Sequence, residues 1–235
     1  MELRHVFSKY LPAAAVALAM AIPGQATAQS HYKAHVSIGA HAGATLSRVD
    51  ISPSVPQSFL QGFAGSVRFR YSEEKLFGLV AEFGVAQRGW KENFEESPLQ
   101  YHRQLTYLTL PVMTQIIFGS RRVKCFFNLG PEVSYMIGES ISANFDYSNP
   151  GAAEGWPSVP RQTAQLTMPV KNKFDYGITG GIGCEIYVQP RHSITLEARY
   201  YFGLGNVFPA SKSDIFSASR CTSIEVAAGY YFRLK

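Results

Sequence analysis

The chain has 235 residues, 46% hydrophobic and 13% aromatic, with 22 Lys and Arg against 17 Asp and Glu. A mean hydropathy of −0.05 excludes a helical membrane protein, though it hides alternating strands whose two faces cancel. The net charge of +5 is mild, and no dense Lys/Arg run with interleaved aromatics appears, which excludes a nucleic-acid binder.

Residues 1–28 read as a cleavable signal peptide. Arg4 and Lys9 give the positive start, Leu11 to Ile22 an apolar run too short to span as a helix, and Ala26-Thr27-Ala28 a small-residue cleavage site ending at Ala28. Residues 29–34 then form a short tail, and 35–235 one domain.

From His35 onward the period is two. Side chains on a strand alternate between faces, so such segments carry one oily and one polar face. The first strand is expected over about His35–Thr45, the second over Gln61–Tyr71 and the third over Leu76–Arg88. The fourth covers about His102–Ile117, the fifth Val123–Ile137 and the eighth Arg220–Leu234. Between the fifth and eighth lies the clearest hairpin, Lys173 to Leu204. Phe174, Tyr176, Ile178, Ile182 and Ile186 share a face on its first arm, and Ile194, Leu196, Ala198, Tyr200 and Phe202 on its second. Each arm exceeds the roughly 9–11 residues that a tilted strand needs to cross a bilayer. Pro111 and Pro131 lack an N–H for a ladder, so each predicts a bulge or a strand end.

Two regularities choose which face is the outside. The connections alternate: Ser72 to Lys75, Gly119 to Arg122 and the turn at Pro190-Arg191 are short, whereas the link between the first and second strands, with Pro53 and Pro56, and those over about 89–101, 138–172 and 205–219 are long. Short periplasmic turns and long outer loops are the habit of an outer-membrane barrel. The strand charges also keep one parity: Arg68, Arg70, Glu82, Arg88, Glu132, Glu185, Glu197, Arg199, Glu225 and Arg233 all fall opposite the oily face. On the lipid side an Arg at mid-depth costs about 2–4 kcal/mol; inside a narrow lumen these ions can pair. The expected fold is therefore all-β, an eight-stranded antiparallel up-and-down transmembrane barrel. Eight strands leave an interior just wide enough for side chains, so these ten residues form a lumen charge network that plugs it. Gly177, Gly181 and Gly183 would leave room for long neighbours such as Arg199 or Arg68.

Little else suggests chemistry. Cys125, Cys184 and Cys221 make an odd count with no C-x-x-C, and read as structural. His41 reads as a lumen histidine beside a carboxylate. A lipid-modifying enzyme would need a Ser/His/acid set at one interface; His192, Ser193 and Glu197 are adjacent in sequence, but neighbours on a strand point apart. No catalytic, cofactor or metal residues are expected. The aromatics Trp90, Phe94, Tyr101, Phe145, Tyr147 and Trp156 fall in outer loops, where they serve either the membrane interface or a partner.

Several segments in order carry a resemblance. Leu105-Thr-Tyr-Leu-Thr-Leu-Pro111, Asn128-Leu-Gly-Pro-Glu-Val-Ser-Tyr135, Phe174 to Gly183, Leu196 to Leu204 and the ending Ala228-Gly-Tyr-Tyr-Phe232 resemble the PorT-like outer-membrane β-barrel family of Bacteroidota. The resemblance implies a barrel in the cell outer membrane. Its partners would be outer-membrane lipid and the barrel assembly machinery, and further ones envelope or type IX secretion proteins. The ending Phe232-Arg-Leu-Lys235 departs from the terminal aromatic common in such chains. Two functions follow as expectations: a structural or secretion-associated barrel, or a surface-exposed binding barrel that uses its long loops. Deleting about Ser142–Gln165 would separate them.

Overall fold

The computed structural model describes residues 34–72, 76–94, 97–158, 160–211 and 214–234. The expected signal peptide, its cleavage at Ala28 and the Glu73-Glu74-Lys75 turn lie outside them. Alternation becomes eight long strands: β1 His35–Ser52, β2 Leu60–Ser72, β3 Phe77–Glu92, β4 Tyr101–Gly119, β5 Val123–Ala143, β6 Phe174–Gln189, β7 His192–Gly203 and β8 Ala218–Arg233. Each pairs antiparallel with its sequence neighbours, and β1 pairs with β8, so the ring closes. A further two-residue strand, Gln57–Ser58, adds to the end of β3. Closure leaves no free sheet edge among these strands, which a lipid environment requires.

Through the apolar belt the burial pattern alternates along the strands, and it breaks toward the barrel mouth, as at Arg88–Trp90 on β3 and Cys221–Ser223 on β8. Phe63, Val67, Phe69, Phe83, Ile178, Ile182 and Leu196 are exposed on the outer wall, while Arg68, Glu82, Glu185, Glu197 and Arg199 are buried within. Several strands run past this apolar belt. On β1 the outward series Ile38 to Leu46 gives way to Arg48 and Asp50, an ion pair at 3.2 Å. On β4 it gives way from Leu108 to Thr106, Gln104 and His102, and on β3 and β8 to the exposed Lys91 and Arg220. The barrel wall thus continues beyond the lipid. For that reason β1, β3 and β5 are longer than the sequence suggested, while β4 matches to within two residues at either end, and the expected irregular stretches over 89–101 and 138–172 shrink to residues 93–100 and 144–173.

The two strand prolines produce neither a bulge nor an end. The β3–β4 ladder breaks between Ala81↔Val112 and Gly84↔Thr109, where Pro111 has no N–H to give, and resumes in the same register. The β4–β5 ladder likewise skips from Pro111↔Glu132 to Thr114↔Leu129, across the position of Pro131. Neighbouring ladder bonds on long strands hold the register through the gap. The register shift on this pair occurs elsewhere: Thr106 pairs with Gly138 but Tyr107 with Met136, so Ile137 is an extra residue. At the short-turn end, Gly119 has φ +126°, and an added Cβ would lie 2.7 Å from the Val123 carbonyl oxygen, so the turn requires glycine there.

All four long connections fold back over the barrel mouth. Val55, Phe94, Leu99, Leu166, Val170, Val207, Phe208 and Phe216 join Trp90, Tyr101, Leu105 and Tyr107 from the wall in one buried apolar cluster. The longest connection carries a short 3-10 turn, Pro150–Ala152, and a helical turn, Ala164–Thr167.

Candidate functional site

The lumen is filled in three polar tiers. Nearest the short turns, Arg70 clasps Glu185 through two bonds of 2.7 and 2.8 Å, Ser193 donates to the same carboxylate, and the guanidinium lies 4.2 Å from the Tyr231 ring centre. In the middle, Glu82 takes Arg199 at 2.9 and 3.0 Å and Arg68 at 2.9 Å. Arg68 also reaches Glu197, which accepts from Arg199 and from Asn128. The same tier holds His41, whose Nε2 lies 2.8 Å from Glu225 and whose Nδ1 meets the Ser66 hydroxyl. Above it, Arg88 pairs with Glu132, lies 3.6 Å from the Tyr201 ring centre, and Tyr201 donates to Asp175.

Two-ended carboxylates and forked guanidiniums suit such a site. Each side chain meets several partners, and each charge-assisted bond is stronger than a neutral one. The pairings bridge the lumen as well as following the wall: Arg68 on β2 meets Glu197 on β7, and Arg70 on β2 meets Glu185 on β6. Of the ten residues expected here, Arg68, Arg70, Glu82, Arg88, Glu132, Glu185, Glu197 and Arg199 meet in these tiers, and Glu225 joins through His41. Arg233 stands apart; it is half-buried and reaches the Tyr187 hydroxyl at 3.4 Å.

The glycines do leave room, but for different side chains. A Cβ at Gly177 would lie 2.8 Å from the Tyr201 ring, and one at Gly183 would lie 2.4 Å from the Phe126 ring. Only Gly181 faces the charged tier, with Glu197 Oε1 3.1 Å away.

A second polar set ties down the cap. Arg103 pairs with Glu139 and donates to the carbonyls of Gln165 and Met168 at 3.2 and 2.7 Å, with its guanidinium 5.5 Å from the Trp90 ring centre and 5.7 Å from that of Phe208, two rings that themselves meet edge to face. Glu92 accepts from Arg161 at 2.6 Å and from Gln165 at 3.1 Å. Both groups stand on wall that extends past the lipid belt. Burial pushes the Glu92 carboxyl above its usual range, against the opposing pull of Gln165 and Arg161. Burial also raises the Tyr101 phenol to about 12, and its hydroxyl donates to the Leu166 carbonyl. Alternation alone did not reveal this set. The extra residue Ile137 turns Glu139 from the lipid parity to the inner side, where it meets Arg103. Asp175 and Asn128 did lie on the polar parity, which was the available signal for them.

The aromatics expected in outer loops gather in the cap, and two of them, Trp90 and Tyr101, stand on the extended wall of β3 and β4. Trp90, Phe94 and Tyr101 are buried in the cap core, and Phe145, Tyr147 and Trp156 pack against it. Phe94 sits 5.6 Å from both Phe145 and Trp156.

His192, Ser193 and Glu197 do not assemble. Ser193 is spent on Glu185, and the His192 ring faces Tyr230 and Phe232 on the outer side. Among the described residues no group of three or more His, Cys, Asp or Glu is arranged to hold a metal ion. Cys221 is buried beside the Tyr107 hydroxyl, whereas Cys125 and Cys184 face each other on the outer wall.

Comparison with known proteins places this geometry. The sequence family described as "Outer membrane protein beta-barrel domain" matches residues 27–209. Neisserial surface protein A (NspA) is 14% identical at a TM-score of 0.46, covering 85% of this chain and 98% of its own. OprG from Pseudomonas aeruginosa is 13% identical at 0.47, covering 86% and 97%. Ail of Yersinia pestis, in complex with the heparin analogue sucrose octasulfate, is 12% identical at 0.39, covering 84% and 99%. At these identities the likeness is one of fold alone. No curated protein matches in sequence.

Proposed function

The chain belongs to the outer membrane protein β-barrel domain family, and from that premise we propose that it is a sealed, non-enzymatic barrel with a structural or secretion-associated envelope role of the PorT-like kind. In this reading a signal peptide exports it, its short turns face the periplasm, and its cap stands at the cell surface. The observation that carries the reading is the filled lumen. The middle tier joins β2, β3, β5 and β7 across the interior, and an apolar cap lies over it. Buried ion pairs and ring contacts of this kind take up the lumen where a porin would hold water. Such a barrel offers a rigid wall and a folded outer surface.

Purified protein in planar bilayers tests the seal: conductance stays at the level of protein-free membranes, and stable ion steps would overturn it. Deletion of the gene tests the role, read as loss of secreted proteins or of envelope integrity with other barrels intact. A deletion with no effect on either removes the envelope reading.

One observation favours a surface-binding role instead. An open groove of about 600 Å³ lies beside the long loops, lined by Lys171, Lys173, Phe174, Tyr176, Leu204 and Asn206. Deleting 142–165 no longer separates the readings cleanly, because it removes Gln165 and Arg161 from the cap. Lys171→Glu with Lys173→Glu is the sharper variant. Loss of binding to an anionic ligand such as heparin by cells carrying an assembled barrel would support a surface role.

A further inference from the structure

We infer that Cys125 and Cys184 are joined as a cross-strand disulfide in the assembled protein. The two residues are direct partners in the unbroken β5–β6 ladder, which runs from Val123↔Ile186 to Tyr135↔Phe174. Directly opposed Cα atoms on antiparallel strands are about 4.5–5.5 Å apart, inside the roughly 4.4–6.8 Å that a disulfide spans. The sulfurs lie 3.0 Å apart, so a small rotation of either side chain brings them to bonding distance.

The surroundings exclude a competing use. On the outer wall the pair is flanked by Phe118 on β4 and Leu196 on β7, and among the described residues no third ligand stands by to complete a metal site. Cys221 is buried at a different level beside Tyr107. The odd count thus sorts into one facing pair and one sequestered thiol.

The chemistry needs an oxidant, and the route to the outer membrane supplies one class. The periplasm holds thiol–disulfide oxidoreductases that are kept oxidised. One cysteine, as thiolate, attacks the oxidant's disulfide, forms a mixed disulfide and releases one oxidant thiolate. The second cysteine thiolate attacks the mixed disulfide at the first cysteine's sulfur. The Cys125–Cys184 bond forms, the second oxidant thiolate leaves, and the two thiol protons pass to the two thiolates. Two electrons thus move to the oxidant. The pair sits two residues, about 7 Å, from the start of β5 at the short-turn end, which rests on the proposed orientation of that end toward the periplasm.

The bond would staple the two strands that bracket the longest cap connection. It would also fix their register, because a one-residue slip turns one of the cysteines toward the lumen.

The test is thiol counting on barrel isolated in outer-membrane fractions, acid-quenched, denatured and labelled with a maleimide polymer. The expected result is one labelled thiol before reduction and three after, with the Cys125 and Cys184 peptides linked and lighter by two hydrogens. Cys125→Ser or Cys184→Ser should each give two labelled thiols without reduction. Three labelled thiols without reduction, in protein that fractionates with the outer membrane and shifts on a gel when heated, overturn the inference while leaving the envelope reading intact. Protein absent from that fraction would instead overturn the envelope reading. In that case refolded barrel treated with copper–phenanthroline decides the geometry: rapid intramolecular linkage supports it and unchanged thiols refute it.

Discussion

Glu82→Gln is the most direct probe of the filled lumen. The Glu82 side chain is 1% exposed, and it neutralises two guanidiniums that are themselves buried, Arg68 and Arg199. Removing one partner of a buried ion pair costs about 3–5 kcal/mol, because the charge left behind has no solvent to fall back on. Here two cations lose a partner. Arg68 keeps Glu197 and Arg199 keeps the same residue at 3.0 Å, so one carboxylate must then serve both. The loss should fall near the upper end, about 5 kcal/mol, or more than a thousandfold in the folding equilibrium at about 1.4 kcal/mol per factor of ten. Glu132→Gln deprives only Arg88 and should cost about 3 kcal/mol. The assay is urea unfolding of the refolded barrel in lipid vesicles, followed by tryptophan fluorescence and by the heat-dependent shift on a gel. A double variant with Arg199→Gln should cost less than the two single losses added together, by about 0.5–3 kcal/mol. If Glu82→Gln shifts stability by less than about 1 kcal/mol, the range of solvent-exposed pairs, then water reaches this tier and the sealed lumen is wrong.

Four further outcomes follow. Val67→Arg, on the outer wall at 56% exposure, should lose about 2–4 kcal/mol in vesicles, and a neutral result would put that wall in water. Gly183→Val forces a Cβ within 2.4 Å of the Phe126 ring and should cost about 1–3 kcal/mol in the same unfolding assay. Arg103→Ala removes the tie to the Gln165 and Met168 carbonyls and should speed protease cleavage within 144–173 while the gel shift stays normal. The Glu92 carboxyl is raised by burial, so the folded cap holds its proton more tightly than the open one. That contribution is present below the ordinary carboxylate range and is lost as pH rises through the raised value. Cap cleavage should therefore be slower at pH 4, below the ordinary carboxylate range, than at pH 7, measured with an acid-tolerant protease and corrected for its own pH profile, and Glu92→Gln should remove the difference.

Alternation exposed the barrel because a membrane punishes both errors at once. An outward Arg meets lipid, and an inward Phe takes volume the ion tiers need, so period two is enforced at Arg68, Glu82, Glu197 and Arg199 together. The same rule loses its force where the wall leaves the lipid. Arg48 and Lys91 occupy the outward parity there at no penalty, so the ends of β1 and β3 looked like loop, whereas the β4 end was legible to within a residue despite His102 and Gln104. At Ile137 one extra residue inverts the parity, and Glu139 reads as outward until the register with β4 is known. The cap was hidden for a related reason. Its core draws only one to three buried residues from each of the four long connections, too few and too unevenly spaced to carry a period.

Parity also fixes only the side of the wall, never the partner. Arg68 follows Glu82 into the lumen through adjacent strands, a pairing that a hairpin register permits one to guess. Its second partner, Glu197, stands on β7 across the interior. That contact depends on strand tilt and stagger, which close an eight-membered ring at one radius only. A seventh or ninth stave would change the radius and separate Arg68 from Glu197 without altering the alternation of either strand. The ion tiers are therefore a property of closure. They lock strand number as much as they fill space, and a sequence in which every charge keeps its parity but Glu197 moves two residues along β7 should still insert yet lose the cross-lumen bond.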